Sequence, residues 1–345
     1  MMGDWFERLT GFVEDGYEPT QRRLSVEGDE LVSSVNGKRY GVGSLTVPTL
    51  ASLREQVSVS RGQRTSVNAL VGDARSLHTD PRFAGALFQV ASQFNLLEMI
   101  SENVTPEHGV TRYASDPTQG PACAMAAGAA TIFRNYFVPF DDGVGQTARR
   151  QVDALAGVGA ALSELTGLPV GELWEMRNGY ALCSREGLTA INNALVDASA
   201  HVWDSLRGRL AIGLHRNVEV TDLEGPGRRL VSQAFCSALP LGYSRLPRRQ
   251  WELFARLVLE ATYEATLLAA AEQASDGGSN IVLLTRVGGG VFGNDGSWID
   301  RAIERALGVA KNAGLEVYIV GHRGVEPGVV GIIDRWNARS RKMER

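Results

Sequence analysis

The stretch IVLLTRVGGGVFGNDGSWID, from Ile281 to Asp300, constrains the fold of this 345-residue chain more than any other segment. A short apolar run leads into three consecutive glycines, a fourth glycine follows after Val-Phe, and a helical pattern begins beyond it. Glycine lets the backbone turn tightly and lets a ligand approach the main chain closely. The free N–H groups of a following helix favour an anion such as a diphosphate. The segment therefore predicts a strand, an anion-binding loop and a helix.

Two other interpretations of the glycines have to be weighed. Gly288, Gly290 and Gly293 satisfy the G-x-G-x-x-G fingerprint of an NAD-dependent Rossmann-type oxidoreductase. That fingerprint needs an acid at the end of the next strand, where this chain has His322 and Arg323. A tight corner without any ligand is the structural alternative, but four glycines in six residues exceed what a corner needs. A P-loop is excluded, because no Gly-Lys-Ser/Thr follows the glycines.

Strand-like and helix-like segments interleave from about residue 67 onward, which predicts a three-layer α/β/α sandwich with a mixed sheet. An amphipathic helix is predicted from about Gln250 to Ala274, and Ser297 with Asp300 has the spacing of a capping box for the helix after the glycines. We divide the chain into an N-terminal extension (1–64), one catalytic domain (65–330) with a mostly helical insertion at about 140–210, and a basic tail (331–345).

Composition narrows the function classes. The net charge of −4 gives no basic field toward nucleic acid or anionic lipid, and no segment reaches the length of a membrane span. The three cysteines form no C-x-x-C pair, and the five histidines are dispersed, so no metal site is indicated. Acidic residues occupy the N-terminus, where a signal peptide would be apolar. We expect a cytoplasmic monomer without metal or cofactor.

The order of several motifs resembles the macrodomain family, whose fold binds ADP-ribose. VGGGVFGND is similar to the second phosphate-binding loop of that family, and VGDARSLHTDP to its early Gly-Asp motif. FQVASQFN resembles the next buried strand with its terminal asparagine, and QGPACAMAAGAATIFRNYF stands where the first phosphate loop and its helix belong. The resemblance covers roughly residues 67–322 apart from the insertion.

The segment LLEMISENVTPEHGVTRYASDPTQGP departs from the common macrodomain pattern, because it lacks the usual glycine run after the asparagine. In this respect the chain looks closer to the divergent branch that contains poly(ADP-ribose) glycohydrolases and effector-type ADP-ribosyl-arginine hydrolases. The resemblance implies that Asp73 accepts the adenine amino group and that Asn95 contacts the distal ribose. The other implied ligand-binding residues are Ala74, Gln119, Gly120, Gly288, Gly289, Gly290, Val291, Phe292, Gly293 and Asn294.

Cleavage at C1″ of the distal ribose passes through an oxocarbenium-like state, which a nearby carboxyl group can stabilise or protonate. Asp295, directly after the glycine loop, is the first catalytic candidate, and Glu98 in NLLEM is the second, with Asn95 beside them. We interpret Asp116 as part of an Asp-Pro turn. The predicted function is an ADP-ribosylhydrolase that cleaves an N-glycosidic bond on a protein side chain, with arginine suggested by the branch alone. A module that binds ADP-ribose without cleaving it is the alternative.

Overall fold

The computed structural model describes residues 4–57, 63–223 and 227–341. Its strands, in chain order β1 to β14, are Leu24–Glu27, Glu30–Ser33, Arg39–Gly41, Ser44–Thr46, Ser66–Val71, Leu87–Ala91, Pro139–Phe140, Gly143–Val144, Trp174–Arg177, Tyr180–Cys183, Gly213–Glu219, Leu230–Cys236, Ile281–Leu284 and Glu316–Gly321. Its helices, α1 to α13, are Trp5–Thr10, Tyr17–Arg22, Leu50–Gln56, Ala74–Thr79, Gln119–Ala126, Gly128–Tyr136, Ala156–Thr166, Val170–Leu173, Arg185–Val196, Ala200–Gly208, Arg248–Ser275, Gly296–Val309 and Pro327–Arg341. Over these ranges no helix combines the length and the apolar character that crossing a membrane requires.

The central sheet has seven strands in the order β4-β11-β12-β6-β13-β14-β5. The five strands from β12 to β5 in that order run parallel, and β11 and β4 are antiparallel at the other edge. Because parallel strands share a direction, the carboxyl ends of β12, β6 and β13 meet at one edge of the sheet. The predicted α/β class with a mixed sheet is confirmed.

Both faces of the sheet are covered, which makes the third layer. Successive residues of β6 and β13 enter different clusters: Leu87 and Leu284 pack with α11 and α12, whereas Phe88 and Leu283 pack with α4 and α6. This is the period-two alternation of a strand buried on both sides. The strands of the sheet centre consequently read as continuous apolar runs in the sequence, such as IVLL in β13.

The long helix α11 is buried along most of its length, and two of its carboxylates are buried with it. Glu260 accepts from Arg207 of α10 at 2.7 Å, and Glu264 accepts from Arg54 of α3 at 2.7 Å. Arg305 of α12 also pairs with Glu264. Because buried carboxylates need charged partners, these pairs fix which helices surround α11.

The N-terminal segment, which we had separated as an extension, is packed into the domain. β4 adds an antiparallel edge strand to the sheet, and Phe6 and Leu9 of α1 form a second core with Leu97 and Met99. The carboxylate of Glu14 accepts hydrogen bonds from the backbone that follows Gly109, at 2.9 and 2.7 Å. This segment therefore supports the loop that follows β6.

Several local predictions differ from the structure. The single helix predicted after Pro121 is broken at Ala127 (φ −115°, ψ 59°). The insertion contains the hairpin β9–β10, held by packing of Trp174 on Phe254, and the segment expected as a tail is helical to Arg341. Trp336 anchors that helix by burying its ring and donating to the Thr65 carbonyl at 3.1 Å.

Candidate active site

A cleft of about 430 Å³ opens where the parallel strands β6, β12 and β13 end. Its walls include Ala91 to Gln93 after β6, Ala238 after β12 and the segment from Thr285 after β13. Ligands of open α/β sheets bind outside the carboxyl ends of the strands, where neighbouring loops diverge. The position of the cleft is therefore the one that the topology favours for a small-molecule site.

The glycine loop forms one wall, and its glycines have different reasons to be there. Gly288 (φ 77°) and Gly293 (φ 71°) lie in the left-handed region, and a Cβ at Gly288 would stand 2.5 Å from that of Ala238. Gly290 has no positive φ, and a Cβ there would meet nothing within 4 Å. Since nothing within the chain requires glycine at Gly290, the bare backbone is available to a ligand.

The loop presents backbone donors. Asn294 fixes its shape, because its amide nitrogen donates to the Leu239 carbonyl at 2.9 Å and its backbone N–H to the Gly288 carbonyl at 2.9 Å. Within residues 4–57, 63–223 and 227–341, no acceptor lies in hydrogen-bond geometry to the N–H groups of Gly290, Val291 or Phe292. Consecutive free N–H groups at such a loop make an anion site.

The opposite wall contains the start of α5. The side-chain amide of Gln119 bridges to β6, accepting from Ala91 N–H at 2.9 Å and donating to the Gln89 carbonyl at 3.0 Å. A Cβ at Gly120 would lie 2.1 Å from the Ala91 carbonyl oxygen. Glycine at this position therefore lets the helix begin directly against the end of β6. Both predicted residues line the cleft.

Glu98 is the chemically exceptional residue of the cleft. The residue is 2% exposed and lines the cleft, and neither carboxyl oxygen has a hydrogen-bond partner within the described chain. Its nearest cation is Arg134 of α6, with Nη2 3.6 Å from Oε1. Burial raises the pKa of Glu98 to about 7, and the charge of Arg134 lowers it by less. At neutral pH this carboxyl group can therefore hold or release a proton.

Asp295, the first catalytic candidate, occupies a different environment. It is the N-cap of α12, accepts from Ser297 N–H at 2.9 Å and from the Ser297 hydroxyl at 2.7 Å, and lies 3.7 Å from Arg248. Hydrogen bonds from Ser297 lower its pKa below the usual value. The helix thus starts two residues before the Ser297–Asp300 box that we expected. Asp295 is not among the residues that line the cleft.

Asn95 is fully buried, and its polar atoms form hydrogen bonds with other residues of the chain. Its amide nitrogen donates to Gln151 at 2.9 Å, its side-chain oxygen accepts from Leu97 N–H at 3.1 Å, and its carbonyl accepts from Gln146 at 3.0 Å. These bonds hold the turn that carries Glu98, three residues later. The structure places Asn95 behind the cleft wall.

Asp73 is the exposed N-cap of α4, accepting from Ser76 N–H at 2.9 Å. Partial burial raises the pKa of Asp73, but the hydrogen bonds from Ser76 outweigh it, and the pKa lies below its usual value. Ala74 lines a small pocket of about 20 Å³ that shares Gln119 and Thr285 with the cleft. The start of α4 therefore lies beside a pocket that adjoins the cleft at Gln119 and Thr285.

Some of the remaining predicted residues line the cleft, and others do not. Val291 and Phe292 line the cleft with Gly288 and Gly290, and Val291 is 61% exposed. The lining residues do not include Gly289, Gly293 or Asn294, which shape the loop from behind. The cleft lining thus contains some of the predicted residues and leaves out others. Those that line it are Glu98, Gln119, Gly120, Gly288, Gly290, Val291 and Phe292, and those that do not are Asp73, Ala74, Asn95, Gly289, Gly293, Asn294 and Asp295.

Sequence reasoning missed two aromatic residues of the cleft, Tyr180 and Tyr243, which cluster with the predicted Phe292. Tyr180 lies 5.1 Å from Tyr243 and 5.4 Å from Phe292, measured between ring centroids, and all three residues line the cleft. Tyr180 comes from the hairpin of the insertion and Tyr243 from the turn after β12. Only the strand-like alternation of WEMRNGYALC, with its Asn-Gly turn, could have indicated that hairpin.

Neither a metal nor a dinucleotide is favoured by this donor set. Among the described residues, no group of three or more His, Cys, Asp or Glu side chains could hold a metal ion. The strand after α12 ends at Gly321 and continues into His322 and Arg323, so no acid follows it to bind a ribose. Arg286, the cation beside the glycine loop, is already paired with Asp300 and Glu326.

No family model matches this sequence, and no curated protein matches it. Among solved structures, the chain is similar to a poly(ADP-ribose) glycohydrolase from Deinococcus radiodurans in complex with ADP-ribose, at 12% identity over 86% of this chain and 94% of that chain, with a TM-score of 0.43. It is also similar to a poly(ADP-ribose) glycohydrolase from Thermomonospora curvata bound to the inhibitor ADP-HPD, at 13% identity over 92% and 94%, with a TM-score of 0.39.

Proposed function

We propose that the cleft binds ADP-ribose attached to a protein side chain and hydrolyses the glycosidic bond at the distal ribose. This proposal rests mainly on one observation: the buried carboxyl group of Glu98, which has no hydrogen-bond partner in the described chain, shares one cleft with the free N–H groups of Gly290 to Phe292. A diphosphate needs the donors, and glycoside cleavage needs the carboxyl group. The adenine end would extend past Gln119 toward Ala74 and Asp73.

Glu98 supplies the proton in this reaction. Its carboxyl group protonates the leaving nitrogen or oxygen of the modified side chain as the bond from C1″ breaks, and water adds to C1″. The products are free ADP-ribose and the unmodified side chain, and the proton of the attacking water returns to the solvent or to Glu98. Asp116, the other carboxylate in the lining, stabilises positive charge that develops on the ribose.

We assign the proton transfer to Glu98 rather than to Asp295, because the two carboxyl groups lie in different electrostatic environments. Asp295 has a lowered pKa, two hydrogen bonds from Ser297 and a neighbouring arginine, so it stays ionised as a helix cap. Asn95 then positions the Glu98 turn through its own hydrogen bonds. The roles of Asp73 in holding adenine and of the glycine loop in holding the diphosphate remain as the sequence predicted them.

The identity of the ligand is tested by calorimetric titration with ADP-ribose and, in parallel, with NAD. We expect ADP-ribose to bind in the micromolar range and NAD to bind at least about tenfold more weakly, a difference of about 1.4 kcal/mol. Preference for NAD would support the dinucleotide enzyme instead. Failure of both ligands to bind would leave the glycine loop as a tight corner and remove the proposal.

The linkage is tested by measuring ADP-ribose release from two substrates, a peptide mono-ADP-ribosylated on arginine and poly(ADP-ribose). We propose the arginine linkage first, following the sequence resemblance. Release from poly(ADP-ribose) alone would support the hydrolase activity and reject arginine as the linkage that is cleaved. Tight binding of ADP-ribose without release from either substrate would identify a binding module.

The pH dependence follows from the raised pKa of Glu98, about 7. A general acid works in its protonated form, which predominates below this pKa and is lost as the pH rises through it. We therefore expect kcat/KM to be level below pH 7 and to fall about tenfold for each further pH unit above it. An increase of kcat/KM through the same range would contradict the assignment of Glu98 as the acid.

A further inference from the structure

We infer that Arg134 is a positioning residue for the proposed hydrolysis: its buried guanidinium acts through Glu98 and determines over which pH range that carboxyl group stays protonated. The inference rests on the proposed function, since it assigns Arg134 to the same reaction. Arg134 itself does not line the cleft, so it has no direct contact with substrate to explain its position.

Arg134 is held rigidly in a place that is unusual for an arginine. The residue is fully buried on α6, with its guanidinium carbon 3.7 Å from the centroid of the Phe235 ring. Nε donates to the Leu96 carbonyl at 3.1 Å and Nη2 to the Thr131 hydroxyl at 3.1 Å. These contacts aim the guanidinium at the turn that carries Glu98.

The charge of Arg134 is only partly compensated. Nη1 has no hydrogen-bond partner in the described chain, and Nη2 lies 3.6 Å from Oε1 of Glu98, beyond a normal hydrogen bond. A buried cation that serves stability alone would be expected to contact its carboxylate closely. At this separation the positive charge of Arg134 lowers the proton affinity of Glu98, but no hydrogen bond holds the carboxyl group in its ionised form.

The phenol, thiol and imidazole groups around the pair carry no charge at neutral pH. Burial raises the pKa of the Tyr113 phenol and of the Cys123 thiol well above their usual values. Burial lowers the pKa of His215, on the β11 side of Arg134, well below its usual value. Among the carboxylates, Asp73 acts on Cys123 and Glu14 acts on Tyr113, and Asp116 lines the same cleft as Glu98. Arg134 is therefore the dominant charge that acts on Glu98.

The test compares pH profiles of ADP-ribose release by the wild type, Arg134→Gln and Arg134→Lys, on the arginine-modified peptide and on poly(ADP-ribose). Loss of the cation favours the protonated form of Glu98. In Arg134→Gln, kcat/KM therefore begins to fall at a pH about one unit or more higher than in the wild type. Arg134→Lys restores the fall of kcat/KM toward the wild-type pH because it keeps the charge. Arg207→Gln, which removes one ion-pair partner of the buried Glu260 outside the cleft lining, leaves the fall of kcat/KM at the wild-type pH. A fall of kcat/KM at the wild-type pH in Arg134→Gln overturns the inference.

A second measurement does not depend on catalysis or on an Arg134 variant. In the wild-type protein, the side-chain carboxyl ¹³C signal of Glu98, assigned with Glu98→Gln, is followed against pH together with the Arg134 guanidinium ¹⁵N signals. We expect both residues to titrate with one midpoint near the pH at which kcat/KM begins to fall. Titration of Glu98 with no response of Arg134 overturns the inference. If both residues titrate with a common midpoint but the protein hydrolyses neither substrate, the electrostatic coupling of Arg134 to Glu98 is supported and only the proposed function is rejected.

Discussion

Glu98→Gln is expected to lower kcat/KM for ADP-ribose release by at least about 10²-fold while ADP-ribose affinity changes by less than about tenfold. Glutamine keeps the size of the side chain but cannot transfer a proton. We expect the ligand to be held by the glycine loop, which this substitution leaves unchanged. The measurement is initial-rate kinetics on the substrate that the wild type cleaves, with calorimetry on ADP-ribose.

Asp295→Asn is the matched control for that result. Asparagine caps a helix as well as aspartate does, so α12 keeps its start while the charge is removed. We expect kcat/KM within about threefold of the wild type, because this change leaves the cleft lining intact. If Asp295→Asn removed turnover and Glu98→Gln retained it, the proton transfer would belong to Asp295, as the sequence alone had suggested.

Gly290→Val is expected to weaken ADP-ribose binding by at least about tenfold, or 1.4 kcal/mol, without changing the free energy of unfolding by more than about 0.5 kcal/mol. A Cβ at this position meets no atom of the described residues within 4 Å, and we expect the valine methyl groups to project from it into the space beside the loop. A diphosphate approaching the free N–H groups would then collide with it. Calorimetry and chemical denaturation measure the two quantities.

Gly324 provides the control for this substitution. It is also an exposed loop glycine without a positive φ and without neighbours around its Cβ position, but it does not line the cleft. Gly324→Val should leave both affinity and stability unchanged. Equal affinities in Gly290→Val and the wild type would mean that the diphosphate does not use this loop.

The glycine loop could be predicted from the sequence because its chemistry is local. A strand, four glycines and a helix start are adjacent in the chain, and their order alone predicts free N–H groups that can bind an anion. The continuous apolar runs of β6 and β13 likewise identify strands that are covered on both faces. The alternation of strands and helices was sufficient for the α/β class.

The sequence could not show which of the two candidate carboxyl groups suits proton transfer better, because burial and charge environment depend on packing. Glu98 and Asp295 both follow a strand end, yet one is buried beside Arg134 and the other caps a helix beside Arg248. The approach of Arg134 depends on the break of the helix at Ala127, which no local signal indicated. Tyr180 was hidden for the same reason, since it reaches the cleft from a hairpin in a segment with mostly helical periodicity.

The most direct test of the central claim is a crystal structure of Glu98→Gln with ADP-ribose. The account predicts that the diphosphate accepts hydrogen bonds from the N–H groups of Gly290 to Phe292, that C1″ of the distal ribose faces residue 98, and that the adenine lies toward Ala74. ADP-ribose bound away from the cleft, or bound in it with the distal ribose remote from residue 98, would contradict the account.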